Sequence, residues 1–158
     1  MPLELGSLLR NYLRGIAVVG SSALLLTGCA ETYGLGPTAI SSEGANFSIA
    51  ICQDVEVDPI YGEVRRNDGT WSPFIDLKGH AALKTGTVLN SSIPVAGMTG
   101  KFEPIQSETV TAVAIKVEGP GDGATSFTST YSSRSALTIP SNSWLRTDSA
   151  VTPAPCGK

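Results

Sequence analysis

The sequence is poor in the residues that carry most catalysis. It has one histidine, His80, in 158 residues, and no GxSxG, P-loop, HExxH or CxxC pattern. Elbow hydrolases, P-loop NTPases, zinc proteases and thiol oxidoreductases each need one of those arrangements. A lone histidine leaves no Cys/His set for zinc. Serines are plentiful, but a serine nucleophile needs an activating base. His80 beside a carboxylate such as Asp76 is the nearest approach to an acid–base pair. The chain is therefore read as a non-enzyme, and no cofactor is expected. Positive charge is scarce too: eleven Lys and Arg stand against fourteen Asp and Glu, and Arg65-Arg66 is the one adjacent basic pair. A mildly acidic chain without basic clusters is a poor nucleic-acid binder. Aromatics are only 6% of residues, and a core takes most of these. Trp71, Phe74, Tyr131 and Trp144 could form a ligand platform only where exposed.

Long apolar runs are absent, and the one short run has a clear context. Gly15 to Leu26 (GIAVVGSSALLL) is twelve residues long and follows Arg10 and Arg14. A membrane span needs roughly 20 apolar residues, whereas twelve suit the h-region of a signal peptide. Leu26, Thr27, Gly28 and Cys29 follow at its end. This order of charge, apolar run, small residues and cysteine resembles the lipobox of bacterial lipoproteins. The resemblance covers the first 29 residues alone. It implies that a helical signal peptide, residues 1–28, is cleaved, and that Cys29 is lipidated as the new first residue. Membrane lipid would then be a partner through Cys29. The protein would sit on the extracytoplasmic face of a bacterial cell membrane or outer membrane. One acyl chain anchors weakly, and two or more hold stably at about 0.8 kcal/mol per buried methylene.

Cleavage would leave 130 residues, enough for one domain with a core. Losing Arg10, Arg14 and Glu4 would leave nine basic and thirteen acidic residues. Cys52 and Cys156 remain, and a cysteine pair in an exported chain reads as a disulfide. Residues 30–45 (AETYGLGPTAISSEGA) are small, polar and glycine-rich, and with Cys29 they read as a lipidated flexible tether, residues 29–45.

From residue 46 to 158 the pattern is β. Phe47, Ile49, Ile51, Val55 and Val57 share one parity, which is the alternation of a half-buried strand. Asn67-Asp68-Gly69 between two strand-like runs is a hairpin signal. Residues 108–118 (ETVTAVAIKVE) are apolar on both sides and read as a central strand. Residues 79–84 (GHAALK) suggest one short helical turn. No segment after the leader holds helical periodicity for ten residues. Short strands punctuated by Gly and Pro indicate an all-β fold, a single antiparallel β-sandwich of immunoglobulin-like architecture, with a small β-barrel as the alternative.

Asp54, Glu56 and Asp58 occupy the parity opposite the apolar row and form an acidic stripe. They are weak candidates for a cation site. Calcium sites converge oxygens on one point, while strand carboxylates fan outward, so no metal site is expected. The functional expectation is a membrane-anchored surface lipoprotein, a binding or structural module for an envelope protein or glycan. A phage- or prophage-encoded lipoprotein of superinfection exclusion is similar in size and anchoring. An accessory subunit of an envelope enzyme is the third reading.

Overall fold

The computed structural model describes residues 37–92, 95–106 and 109–156, all within the compact unit Tyr33–Lys158. Leu26, Thr27, Gly28 and Cys29 lie outside the described residues. Among the described residues the fold is all β, with twelve strands and no α-helix. The first sheet runs, edge to edge, β12 (Val151–Thr152), β11 (Trp144–Arg146), β1 (Thr38–Glu43), β2 (Asn46–Ile51) and β7 (Val88–Asn90). The second runs β10 (Phe127–Ser132), β9 (Val110–Val117), β4 (Ile60–Arg66), β5 (Trp71–Lys78) and β8 (Thr99–Phe102). A two-stranded piece joins β3 (Val55–Val57) to β6 (Ala81–Leu83).

Every pairing is antiparallel. β1 and β2 form a hairpin, β7 returns beside β2, β4 pairs with β9, and β10 follows β9. These are the pairings of an immunoglobulin-like sandwich, with β8, β11 and β12 added at its edges. Neither sheet closes on itself, so the small-barrel alternative does not hold.

Alternation builds the core. Ile40, Ile49 and Leu89 lie in register across the first sheet, and Tyr131, Val113 and Val64 across the second. All are buried, as are Phe47, Ile51, Ile60, Ile115 and Val117 in the same cluster. Phe47 of the first sheet meets Phe74 of the second edge to face at 6.5 Å, and Phe74 meets Phe102 at 5.7 Å. Such pairs add about 0.5–1.5 kcal/mol beyond the area they bury. One polar tie crosses between the sheets: the hydroxyls of Thr38 in β1 and Tyr131 in β10 lie 2.6 Å apart, both buried. Burial pushes the Tyr131 hydroxyl well above its ordinary value, and the Thr38 bond offsets this only in part.

The bulge in β5 matters more than its size suggests. Gly62 pairs with Ile75 but Glu63 pairs with Pro73, so Phe74 is an extra residue facing no partner. A Cβ at Gly62 would lie 2.8 Å from Ile75 Cδ1 and 2.9 Å from Phe74 Cε1. The side chains of β5 thus occupy the space that only a glycine leaves, and two consecutive residues, Phe74 and Ile75, both turn into the core.

The Cys52–Cys156 disulfide is present, spanning 104 positions with Cα atoms 5.0 Å apart. It fastens the end of β2 to the C-terminal tail rather than bridging the two sheets, unlike the inter-sheet bridge of antibody domains. Cross-linking so long a loop is worth roughly 4–5 kcal/mol through the unfolded state.

Three expectations change. Residues 38–43, expected to belong to a flexible tether, form β1 instead, with Thr38, Ala39 and Ile40 buried between β11 and β2. Small residues suit a crowded interior strand as well as a linker, and sheet pairing decides. The helical turn expected at residues 79–84 is β6, held against β3 by the register Val55↔Leu83 and Val57↔Ala81. Tertiary pairing overrides the helix propensity of two alanines and a leucine. The single apolar row from Phe47 to Val57 breaks after Ile51, where β2 ends and β3 starts a separate sheet.

Replacing Tyr131 with Phe leaves the Thr38 hydroxyl buried without its partner, and stability should fall by about 1–3 kcal/mol. Urea unfolding measures this. Adding Thr38→Val, which removes the orphaned hydroxyl, should recover most of the loss.

Candidate functional site

The acidic stripe resolves into structural ties. Asp54 accepts bonds from the Thr85 amide at 2.9 Å, the Thr85 hydroxyl at 3.1 Å and Lys84 Nζ at 2.9 Å. Glu56 lies 2.9 Å from His80 Nε2. Asp58 accepts from the Gly79 amide at 3.3 Å. The three carboxylates thus hold the β6 segment at three separate points rather than converging on one. Among the described residues no group of three potential ligands comes together. The suggested His80–Asp76 pair does not form: Asp76 pairs with Lys78 at 3.6 Å, and His80 is an exposed side chain tied to Glu56.

The aromatics separate in the same way. Phe74 and Tyr131 are core residues, and Trp144 is half-buried in β11. Trp71 is 45% exposed, a rare state for an indole.

Trp71 lies directly across from Arg65, in register on neighbouring strands. The Arg65 guanidinium sits 5.8 Å from the indole centroid, a cation–π contact of about 0.5–1 kcal/mol at such an exposed place. Around this pair opens a groove of about 620 Å³, which also takes in Arg66, Arg134, Thr111 and Ser132. Four neighbouring strands supply it, β10, β9, β4 and β5, with Arg134 following β10. At about 4.8 Å per strand spacing, that row spans about 14 Å.

Two threonines fix the arginines. Thr111 Oγ1 accepts from Arg65 Nε at 3.2 Å and donates to the Arg65 carbonyl at 3.2 Å. Thr109 Oγ1 accepts from Arg66 Nη1 at 3.1 Å. Each bond uses one donor and leaves the rest of the planar fork available, since arginine carries five N–H groups.

The electrostatics single this groove out. The described residues include eight lysines and arginines. Five of them, Lys78, Lys84, Lys101, Lys116 and Arg146, are ion-paired. The three others, Arg65, Arg66 and Arg134, have no carboxylate within ion-pair distance among the described residues, and all three line the groove. Two acids stand two positions from these arginines: Glu63, exposed on Arg65's face of β4 and not ion-paired with it, and Asp68, whose Oδ1 accepts from the Thr70 hydroxyl at 2.7 Å and the Thr70 amide at 2.9 Å. Those two bonds lower the Asp68 carboxyl, and Arg66 contributes least.

Sequence reading noted Arg65-Arg66 as an isolated pair at a turn and Trp71 as a platform only if exposed. It missed Arg134 altogether. The alternation of residues 60–66 carried the first signal, because it sends Arg65 away from the core that Val64 enters. Nothing local marks Arg134, which reaches the groove because β10 runs beside β9.

Two outcomes follow from this geometry. The bonds from Thr85 and Lys84 hold the Asp54 carboxyl down at about 2, from a usual 3.8. A depressed carboxyl contributes stability above its unfolded value and loses it as pH falls through the folded value. The Thr85 amide resonance should therefore titrate with a midpoint near 2, well below that of an unperturbed aspartate. Substituting Gly62 with Ala should cost about 1–3 kcal/mol by overpacking against Ile75 and Phe74. It should also shift the Trp71 indole resonance, because the bulge that sets Trp71 against Arg65 is disturbed.

Comparison of the chain with protein-family models, with curated proteins and with solved structures finds no match, so function is argued from the groove's own chemistry.

Proposed function

We propose that this protein is a lipid-anchored binding module of the bacterial envelope that holds its ligand in the Arg65–Trp71 groove and carries out no chemistry on it. The observation that carries the reading is the groove itself, in which three arginines with no ion pair among the described residues share one concave surface with an exposed indole. Evolving a soluble surface leaves charges mixed and paired; a cluster of unpaired like charges is costly to hold together without an opposite charge to receive. Nothing in the groove resembles a nucleophile with its base. His80, the sole imidazole, serves the β3–β6 tie.

The anchor rests on the sequence from Arg10 to Cys29. The Cys52–Cys156 disulfide agrees with an oxidising compartment outside the cytoplasm. With β1 starting at Thr38, about eight residues separate it from Cys29, and covalent geometry alone limits that stretch to about 30 Å. The domain would lie close to the bilayer, within reach of ligands at the membrane surface.

Expression of the full chain in a bacterium beside a Cys29→Ser variant tests the anchor. Wild type should fractionate with membranes and carry a diacylglyceryl mass increment on Cys29. The variant should lack that increment. An unmodified mass beginning at Met1 would overturn the lipoprotein reading.

A further inference from the structure

We infer that the groove binds an acidic glycan, a saccharide chain whose sugar residues carry anionic groups. This deepens the binding reading of the same groove and does not depend on the anchor.

The charge argument comes first. The chain is net −3, yet the three arginines that have no ion pair among the described residues gather at one place. A local positive patch on an acidic body attracts an anion at short range while the whole molecule repels a dense polyanion. Arginine also selects the ligand's shape. Its planar fork receives carboxylate, sulfate or phosphate oxygens through two parallel bonds. Arg65 and Arg66 are already held by Thr111 and Thr109, so little side-chain freedom is lost when the anion arrives.

The neutral part of the lining points to sugar. Trp71 is 45% exposed, and its indole, with the Arg65 guanidinium over one face, is of the size of a pyranose ring. Ser132 and Asn67, which also line the groove, offer hydroxyl and amide groups suited to sugar hydroxyls. An apolar small molecule would find too little apolar wall here, since such ligands prefer mostly hydrophobic pockets. A single-stranded nucleic acid is served by a succession of aromatic platforms along a basic track. The groove has one indole and spans about 14 Å, which fits a short oligosaccharide.

Titration calorimetry on the full chain, purified from whichever fraction holds it, tests the inference. The probes are tetragalacturonate, a heparin-derived tetrasaccharide, neutral maltotetraose and a dT oligomer. Arg134 is exposed on a loop, so Arg134→Gln leaves the core intact, which near-UV circular dichroism checks. We expect at least one acidic tetrasaccharide to bind, with affinity falling about tenfold in Arg134→Gln and again in Trp71→Ala. Added salt should weaken it. Which of the two binds tells carboxylate from sulfate. Equal binding of maltotetraose, or failure of both acidic tetrasaccharides, would overturn the inference. Binding of dT alone, abolished by Arg134→Gln, would overturn the glycan and keep the groove as a binding site. If no probe binds, the glycan falls and the groove reading loses its support with it.

Discussion

The register of β4 between β9 and β5 is the constraint on which the structure depends. Side chains on a strand alternate with period two, so a slip of one residue would send every inward group outward. Ile60 and Val64 lie inward at 0% exposure, matched by Val117 and Val113 on β9. That choice sends Arg65 to the opposite face. On the β5 side the register alone is insufficient. Without the extra residue at Phe74, Arg65 would stand across from Ser72 rather than Trp71. The bulge moves Trp71 into line, and Gly62 permits the bulge because it leaves room for Ile75 and Phe74. The same small defect supplies Phe74 to the aromatic series that joins the sheets. Core and groove are therefore products of one arrangement.

Much of this fold was legible because its signals are local. The hairpin at Asn67-Asp68-Gly69 forms with Gly69 at φ +84°, a conformation that glycine adopts without strain. The alternation around Phe47 and around Val113 found two interior strands. Cys52 and Cys156 could be paired because Cys29 had another assignment. What escaped was set by distant partners. β1 looks like a linker until β11 arrives from more than a hundred residues away to flank it. β6 is a strand only because β3 is beside it. The acidic stripe showed its carboxylates but not Lys84, Thr85, His80 and Gly79, which come from one later segment and claim each carboxylate in turn. The groove was half visible in Arg65 and Trp71, and its third arginine was not visible at all.

The distribution of charge follows from the same architecture. Several ion pairs lie two residues apart on one strand or turn, as with Asp76 and Lys78, Lys101 and Glu103, and Lys116 and Glu118. Residues i and i+2 share a face of a strand, so these pairs need no help from the fold. They are exposed and each adds little to stability, typically under about 1 kcal/mol. Their consequence is electrostatic: they neutralise lysines locally over the second sheet. Arg65 has Glu63 two positions back on its own face, yet the two form no ion pair; its guanidinium instead turns to the Thr111 hydroxyl and to Trp71 across from it. Arg66 is followed two residues later by Asp68, but Thr70 takes that carboxylate first.

The groove and the point where the described chain enters lie on different sheets. The described chain enters at Pro37 and Thr38, in the first sheet beside β11. Arg65 projects from the second sheet on the side away from Val64, and so away from the core that the two sheets share. The first described residues thus belong to one layer while the groove opens from the other. The disulfide strengthens this separation, because it binds the C-terminal tail to the end of β2 and keeps β11 and β12 on the first sheet. Neither terminus of the described chain lies on the second sheet, whose outer face is formed by β10, β9, β4, β5 and β8. On the proposed anchoring at Cys29, the arginines and Trp71 would thus stand on the sheet opposite the one through which the described chain enters.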